Sequence, residues 1–232
     1  VDKIDLSDIN IKTWHNICDR LFDKEFDNPS IQRAGNGSGR RYGKNIQNKN
    51  ESNIKTFESS EGNETFNGIM RYLSNKTGGN IHDNGTIEIT SNSINTSGQN
   101  PQNSVDFDNS RNHYCSEDSK DSQICFDFKN RRVQLTKYAI KSRIDHSGPN
   151  YTNLKNWVIE ASNDNTNWIE LDRRENDSSL NGVGNVNTFK IQHPQSTFYR
   201  FIRLHQIGKS WFDNSFHFGF VFIEFYGKLQ EQ

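Results

Sequence analysis

The chain has 232 residues, and its 28 Lys and Arg nearly balance 29 Asp and Glu, which gives a formal net charge of −1. Such a balance provides no global attraction for nucleic acid or for an anionic membrane surface. Only 31% of the residues are hydrophobic, and the sequence has no apolar run long enough to span a bilayer. The chain therefore has room for one domain with polar appendages.

A short amphipathic helix is predicted near the start of the chain. Asn10 can cap it, and apolar side chains follow at helical spacing at Ile11, Trp14, Ile17 and Leu21. One helix of this length is marginal alone. Its apolar stripe must therefore dock on the rest of the chain or on a partner domain.

Residues 27–64 are predicted to form a linker, because apolar side chains almost vanish there and a Gly- and Asn-rich tract runs through it. Residues 28–50 carry positive charge without any acid. The basic residues are Arg33, Arg40, Arg41, Lys44 and Lys49. A tract of this charge suits an acidic protein surface, so we interpret it as a basic tether. Tyr42 is the single aromatic residue within it, which is thin support for nucleic-acid binding, and no nucleic-acid partner is expected.

Thr65 is predicted to cap a second helix, which has Phe66, Ile69, Met70 and Leu73 on one face and ends at the glycine pair 78–79. After it come only strands and turns. Apolar and polar residues alternate, or aromatic and β-branched residues cluster, in segments 86–90, 124–128, 133–144, 157–171, 189–191, 198–205 and 216–226. Short strands at this spacing predict a mainly β domain, a β-sandwich or jelly-roll barrel.

The clearest single element is a hairpin over residues 156–171. Two strand-like runs flank the polar turn NDNTN, a composition typical of a tight connection. Trp157 and Trp168 stand near the start of each run and are expected to share one buried face. The acids Glu170 and Asp172 are expected to face solvent.

The three cysteines, Cys18, Cys115 and Cys125, have no metal-type spacing. Cys115 and Cys125 could approach each other on neighbouring segments, but buried free thiols are favoured. Free thiols fit a reducing, intracellular compartment best.

Several segments in order resemble a discoidin domain, the C-type module of coagulation factors five and eight. They are WVIEASNDN from Trp157 followed by Trp168 and Leu171, FYRFIRL from Phe198, GKSW from Gly208 and FIEFYG from Phe222, together with NPQNSVD from Asn100 and ICFDF from Ile124. The resemblance implies a jelly-roll barrel with galactose-binding-like topology over residues 65–229, followed by a tail at 230–232. It also implies a binding module rather than an enzyme, in agreement with a sequence that carries no catalytic motif.

The variant most similar to this sequence is the intracellular one that follows a BTB–BACK-like segment in large protist families. Residues 9–21, within the helical segment 1–26, resemble the last helix of that preceding segment. The resemblance implies that the chain is the C-terminal part of such a protein or a paralogue without the BTB part. Secreted discoidin modules usually join their two ends by a disulfide, and no cysteine lies near Thr65 or Gly227. The expected location is therefore cytoplasmic or cytoskeletal.

Binding in this family uses loops at one end of the barrel, which by position are residues 96–103, 145–152 and 208–215. The candidate contacts within them are His146, Tyr151, Lys209, Trp211, Phe212 and Asp213. Trp211 is equally well interpreted as a plug closing the barrel. The first loop reads NTSGQN from Asn95, without the hydrophobic spikes of lipid-binding members, so membrane insertion is not expected.

Cofactors are not expected, with one alternative left open. Some sugar-binding members hold a calcium ion beside an Asp turn, and Asp106, Asp108 and Asn109 offer oxygen ligands at roughly suitable spacing. The same turn serves equally well without a metal, so these residues are weak candidates.

The function predicted from sequence is a non-catalytic, intracellular protein-interaction or scaffolding module. In a sharper form of this prediction, the chain is an architectural component of a larger cytoskeletal assembly, for example one bound to microtubules through the basic tether. The alternative is a lectin-like carbohydrate-binding module that uses His146, Tyr151 and Trp211.

Overall fold

The computed structural model describes residues 53–59, 65–95, 99–145, 148 and 151–231. They form one α-helix, α1 (Ile69–Thr77), a 3₁₀ helix (Pro101–Val105) and eleven strands. The strands are β1 (Ile54–Phe57), β2 (Glu88–Ser91), β3 (Tyr114–Cys115), β4 (Gln123–Asp127), β5 (Arg132–Lys141), β6 (Trp157–Ser162), β7 (Ile169–Arg174), β8 (Val186–Lys190), β9 (Phe201–Gln206), β10 (Gly219–Phe220) and β11 (Phe222–Gln230). The described part of the chain lies within one compact unit that spans Lys49–Gln232.

Two antiparallel sheets form a β-sandwich. One has the strand order β1-β11-β5-β8 and the other β2-β4-β9-β6-β7, while β3 and β10 pair separately. Alternation explains how each strand packs: Ile124 and Phe126 of β4 are fully buried, whereas Gln123, Cys125 and Asp127 face outward. Phe126 meets Phe225 of the opposite sheet edge to face, with ring centroids 5.2 Å apart. The predicted β-sandwich or jelly-roll class is confirmed.

The predicted linker boundary is wrong at β1. Residues 54–57, placed in the linker 27–64, pair antiparallel with the end of β11, from Ile54 opposite Gln230 to Phe57 opposite Gly227. The same pairing puts Gln230, predicted to lie in the tail, inside β11. The reason is that β5 covers only one edge of β11, so β1 supplies hydrogen-bond partners for the other edge over residues 227–230. Residues 1–52, which include the predicted first helix, the BTB–BACK-like resemblance and the basic tether, lie outside the described residues.

The predicted start of the second helix is also wrong. α1 begins at Ile69 after an N-terminal cap position at Gly68, three residues later than the cap expected at Thr65. The orphan N–H groups of its first turn are satisfied from another element, because the Glu224 side chain of β11 accepts hydrogen bonds from the backbone N–H of Met70 at 2.7 Å and of Arg71 at 3.0 Å. The predicted end is confirmed, with Gly78 at φ +80° directly after Thr77.

The hairpin of β6 and β7 is confirmed, but its faces differ from the prediction. Trp157 is fully buried, whereas Trp168 is only half-buried and lies 4.0 Å beneath the Arg203 guanidinium. Asp172, expected to be exposed, is fully buried, and its carboxylate accepts a hydrogen bond from the Tyr138 hydroxyl at 2.6 Å. The register of β6 with β7 shifts between Ile159 and Glu160, and this irregularity moves the acid to the inner face.

Strand register places the predicted binding loops together. Gln123 of β4 lies opposite His205 of β9, and Trp157 of β6 lies opposite Gln206. The segments that precede β4 and β6 and the segment that follows β9 therefore lie at one end of the sandwich, which we call the loop end. The β6–β7 turn lies at the other end. Within the described part of the chain, no helix combines the length and apolar character that crossing a membrane requires.

Candidate functional site

Arg143 organises the loop end. It lies two residues after the end of β5, is 4% exposed, and its Nε donates to Asp145 Oδ1 at 2.9 Å. Its Nη1 donates to Thr152 Oγ1 at 2.7 Å and to the Cys115 sulfur at 3.3 Å. The guanidinium also lies 5.0 Å from the Tyr151 ring centroid. One buried cation thus fixes side chains from the β5–β6 loop against β3.

This arrangement presents an ionised carboxylate to solvent. Burial alone would raise the pKa of Asp145, but the hydrogen bonds and charge of Arg143 outweigh it, so its pKa is below the usual range. The Asp145 side chain remains 38% exposed, so its oxygens are accessible acceptors. Arg143 therefore acts as a positioning residue for Asp145.

His113 adds a neutral imidazole beside this pair. Its Nε2 is buried, has no hydrogen-bond partner, and lies 3.8 Å from Asp145 Oδ2. Burial lowers the pKa of His113 and the nearby Arg143 charge lowers it further, so the ring is uncharged at neutral pH. A neutral ring can either donate or accept a hydrogen bond.

Two of the predicted contacts form an aromatic pair at the same place. The rings of Tyr151 and Phe212 lie 5.5 Å apart and are tilted by 59°. Phe212 is 39% exposed, which makes it one of the most exposed large apolar side chains described. The pair joins the β5–β6 loop to the β9–β10 loop. Because Arg143 lies over the Tyr151 ring, the three side chains Arg143, Tyr151 and Phe212 pack in a row.

Trp211 has a mainly structural environment. It is half-buried, its indole N–H donates to the Asp177 carbonyl at 3.2 Å, and the Lys155 ammonium covers its ring at 4.4 Å. Of the two interpretations left open by the sequence, these contacts favour a residue that ties the β7–β8 and β9–β10 loops together.

The remaining predicted contacts are separate. Lys209 reaches towards Phe216, with its ammonium 6.0 Å from that ring centroid. Asp213 and Asn214 both have positive φ, +36° and +60°, and form the exposed turn of the β9–β10 loop. His146 lies outside the described residues, as do Arg33, Arg40, Arg41, Lys44 and Lys49.

Sequence reasoning missed Arg143, Asp145 and His113 as a cluster. The available signal was an Arg near the end of the predicted strand 133–144, with an Asp two residues later. His113 could not be assigned to the cluster from sequence, because only the pairing of β3 with β10 brings its segment to this end.

The Asp turn considered for calcium is occupied with other interactions. Asp108 forms an ion pair with Arg71 at 2.9 Å, and Asp106 accepts from the Asn112 amide at 3.1 Å. Asn109 accepts from the Arg111 backbone N–H at 3.2 Å. Among the residues that the structure describes, no group of three or more His, Cys, Asp or Glu side chains is arranged to hold a metal ion.

The two described cysteines are free thiols with little nucleophilic character. Cys115 is buried beside Arg143, and Cys125 is half-buried on the outer face of β4. Burial raises the pKa of both thiols, that of Cys125 to about 12.

Comparison with known proteins gives one family and a set of similar structures. The sequence model of the F5/8 type C domain matches residues 88–216. Among solved structures, CBM32-3 from a family 31 glycoside hydrolase of Clostridium perfringens aligns with a TM-score of 0.49 at 18% identity, over 62% of this chain and 92% of that chain. CpGH89CBM32-5 from Clostridium perfringens, solved in complex with GalNAc-β-1,3-galactose, aligns with a TM-score of 0.48 at 13% identity, over 61% of this chain and 96% of that chain. Chitosan-binding module 1 from a chitosanase/glucanase of Paenibacillus sp. IK-5 aligns with a TM-score of 0.45 at 16% identity, over 61% and 96%.

Proposed function

The chain belongs to the F5/8 type C domain family, and on that premise we propose that its loop end binds carbohydrate. The observation that carries the proposal is the continuous group of Arg143, Asp145, Tyr151 and Phe212. An ionised, accessible carboxylate accepts hydrogen bonds from sugar hydroxyls, and an exposed aromatic face packs against the apolar face of a sugar ring. Arg143 already holds the wall of the site in place, so ligand binding requires little further loss of conformational entropy.

The proposed role is binding without catalysis. Asp145 is held ionised by Arg143, so it is an acceptor rather than a proton donor at neutral pH. The same contacts give an ordered recognition surface, because Arg143 fixes Asp145 and Thr152 by hydrogen bonds. We assign no reaction step to these residues.

A glycan array probed with the full chain tests the proposal. We expect binding to a subset of glycans that falls about tenfold with Phe212→Ala, because a stacked aromatic contact contributes on the order of 1 kcal/mol or more. Asp145→Asn should weaken binding to the same glycans, since a charged acceptor is replaced by an amide.

Ile169→Ala is the matched control, because Ile169 is 46% exposed and lies at the opposite end of the sandwich. It should leave glycan binding unchanged. A blank array, or an equal loss in the Ile169 variant, would contradict carbohydrate binding at the loop end.

The protein-scaffolding function expected from sequence stays a prediction. Its main support is the basic tether at residues 28–50 and the resemblance of residues 9–21, both outside the described residues. The intracellular location and an acidic protein partner depend on the same segments and stay predictions with it.

A further inference from the structure

A cavity opens at the loop end, beside β9. It has a volume of about 320 Å³ and lies between the β3–β4 loop and the β9–β10 loop. Its wall includes Lys120, Asp121, Gln206, Lys209 and Phe216, none of which belongs to the cluster around Arg143. This volume is at the lower end of the range of about 300–1,000 Å³ typical of small-molecule sites.

The wall of this cavity includes a buried acceptor without a partner. Gln206 is 1% exposed, its side-chain oxygen makes no hydrogen bond, and its backbone N–H is fixed to the Ser122 carbonyl at 2.9 Å. An unpaired buried carbonyl is costly. Because this oxygen is itself buried from solvent, it is not an accessible contact for a ligand in the cavity.

Two ammonium groups from different loops each lie close to one aromatic ring. Lys120 Nζ lies 5.7 Å and Lys209 Nζ 6.0 Å from the Phe216 ring centroid. The acid of the wall, Asp121, is also 3.9 Å from His205 Nε2, so it is shared with a group outside the cavity. Two ammonium groups in the wall of one cavity favour an anion as its ligand.

The walls are held in place by contacts outside the cavity. Phe216 donates its backbone N–H to Asp118 at 2.6 Å, and Asn156 donates its amide to the Lys209 carbonyl at 2.8 Å. Gly208 lies so close to Asn156 that an added Cβ would meet its side chain at 3.0 Å. The cavity is therefore formed before any ligand arrives.

We propose that this cavity is a second saccharide subsite that binds an acidic sugar, with the sugar ring against Phe216 and the acidic group held by Lys120 and Lys209. The proposal takes its ligand class from the proposed function and extends it to a charged sugar residue. The acidic group is a carboxylate or a sulfate ester, because an ammonium binds either as a point charge.

Backbone amide chemical shifts of the isotope-labelled full chain test the proposal. Methyl β-D-glucuronide and glucose 6-sulfate should shift the amides of Gln206, Gly208 and Phe216, and methyl β-D-glucoside should bind at least about fivefold more weakly, as loss of a charged contact predicts. Lys120→Gln and Lys209→Gln should each weaken glucuronide binding about fivefold. The exposed Lys228→Gln is the matched control and should leave it unchanged.

The outcomes separate this subsite from the first site. If the glucuronide shifts the amides of Tyr151 and Phe212 instead, the second subsite is wrong while carbohydrate binding at the loop end stands. If Gln206 and Phe216 respond while the glycan array is blank and Phe212→Ala has no effect, the second subsite stands and the first site is wrong. Equal binding of the glucoside, equal binding of inorganic sulfate alone, or no response to either acidic sugar would each overturn the second subsite.

Discussion

Glu224 is the residue through which the helix and the sandwich are joined. It is fully buried in β11 and accepts backbone hydrogen bonds from Met70, Arg71 and Phe225 at 2.7–3.0 Å. Gly68 allows this approach, because a Cβ there would lie 2.4 Å from the Phe225 carbonyl oxygen. A side chain of the sheet thus replaces the side-chain cap that α1 lacks.

Glu224 should make stability fall as the pH rises. Burial raises its pKa from 4.5 to about 7, against the opposing effect of its backbone hydrogen bonds. The folded chain therefore binds more protons than the unfolded chain between these pH values, so its contribution is complete below pH 4.5 and lost as the pH passes about 7. The expected loss is on the order of 3 kcal/mol.

Glu224→Gln removes this titration. The free energy of unfolding, measured by denaturant titration from acid to neutral pH, should decline less in Glu224→Gln than in the natural chain. Glu88→Gln is the control, since Glu88 is exposed on β2 and should preserve the decline. Identical pH profiles for the natural chain and Glu224→Gln would contradict a buried, titrating Glu224.

At the residue scale, sequence predicts apolar burial better than polar burial. Trp157 was predicted to be buried, because a large aromatic in an alternating strand has few other environments. Asp172 and Glu224 were not, because acids are exposed by default unless a partner distant in sequence pairs with them. Their partners, Tyr138 and the start of α1, become neighbours only when the sheet register is known.

At the element scale, a bulge allows the two longest strands to pair. Tyr226 lies opposite Lys137 and Gly227 opposite Leu135, so Thr136 is an extra residue in β5. Gly227 has φ +134°, and a Cβ at this position would lie 2.1 Å from the Gln134 carbonyl oxygen. Only glycine fits, because the conformation and the close backbone approach both exclude a side chain.

Gly227→Ala should therefore be strongly destabilising. We expect a loss of about 3 kcal/mol or more, from a backbone penalty of about 1–2 kcal/mol and a steric clash of about 1–3 kcal/mol. Gly85→Ala is a matched control, since Gly85 has φ +78° but no atom within 4 Å of the added Cβ, and it should cost only about 1 kcal/mol. If both variants lost the same free energy of unfolding, measured by thermal or denaturant unfolding, the close backbone approach at Gly227 would contribute nothing to the effect of the substitution.

Element prediction worked where local pattern and burial agree. β4, β6 and β9 were predicted because their apolar residues alternate or cluster between polar turns. β1 was not, because Ile54–Phe57 is largely exposed and owes its strand conformation to the edge of β11. The start of α1 was misplaced for a related reason, since its cap comes from a strand more than 150 residues later.

At the scale of the whole molecule, both proposed binding sites are built from segments distant in sequence. The first combines the β5–β6 and β9–β10 loops, and the second combines the β3–β4 and β9–β10 loops. The sequence predicted the loop end through Tyr151, Phe212 and Lys209, but it could not divide them between two sites. That division depends on the neighbours of each side chain. Phe212 packs against Tyr151 in the first site, whereas Lys209 lies near Phe216 in the second.

The compact unit Lys49–Gln232 should keep both stability and binding when produced without residues 1–48. The residues of both sites and the described core lie within it, so its midpoint of thermal unfolding should differ from that of the full chain by less than about 2 °C, equivalent to under about 1 kcal/mol. Glycan binding should be equal in the two chains.

Recovery of a protein partner by the full chain alone, lost at raised salt, would support the predicted basic tether, because exposed charges are screened over about 10 Å at 0.1 M salt. A large fall in the unfolding midpoint, or loss of glycan binding, would instead show that residues 1–48 take part in the folded domain and would contradict the predicted linker.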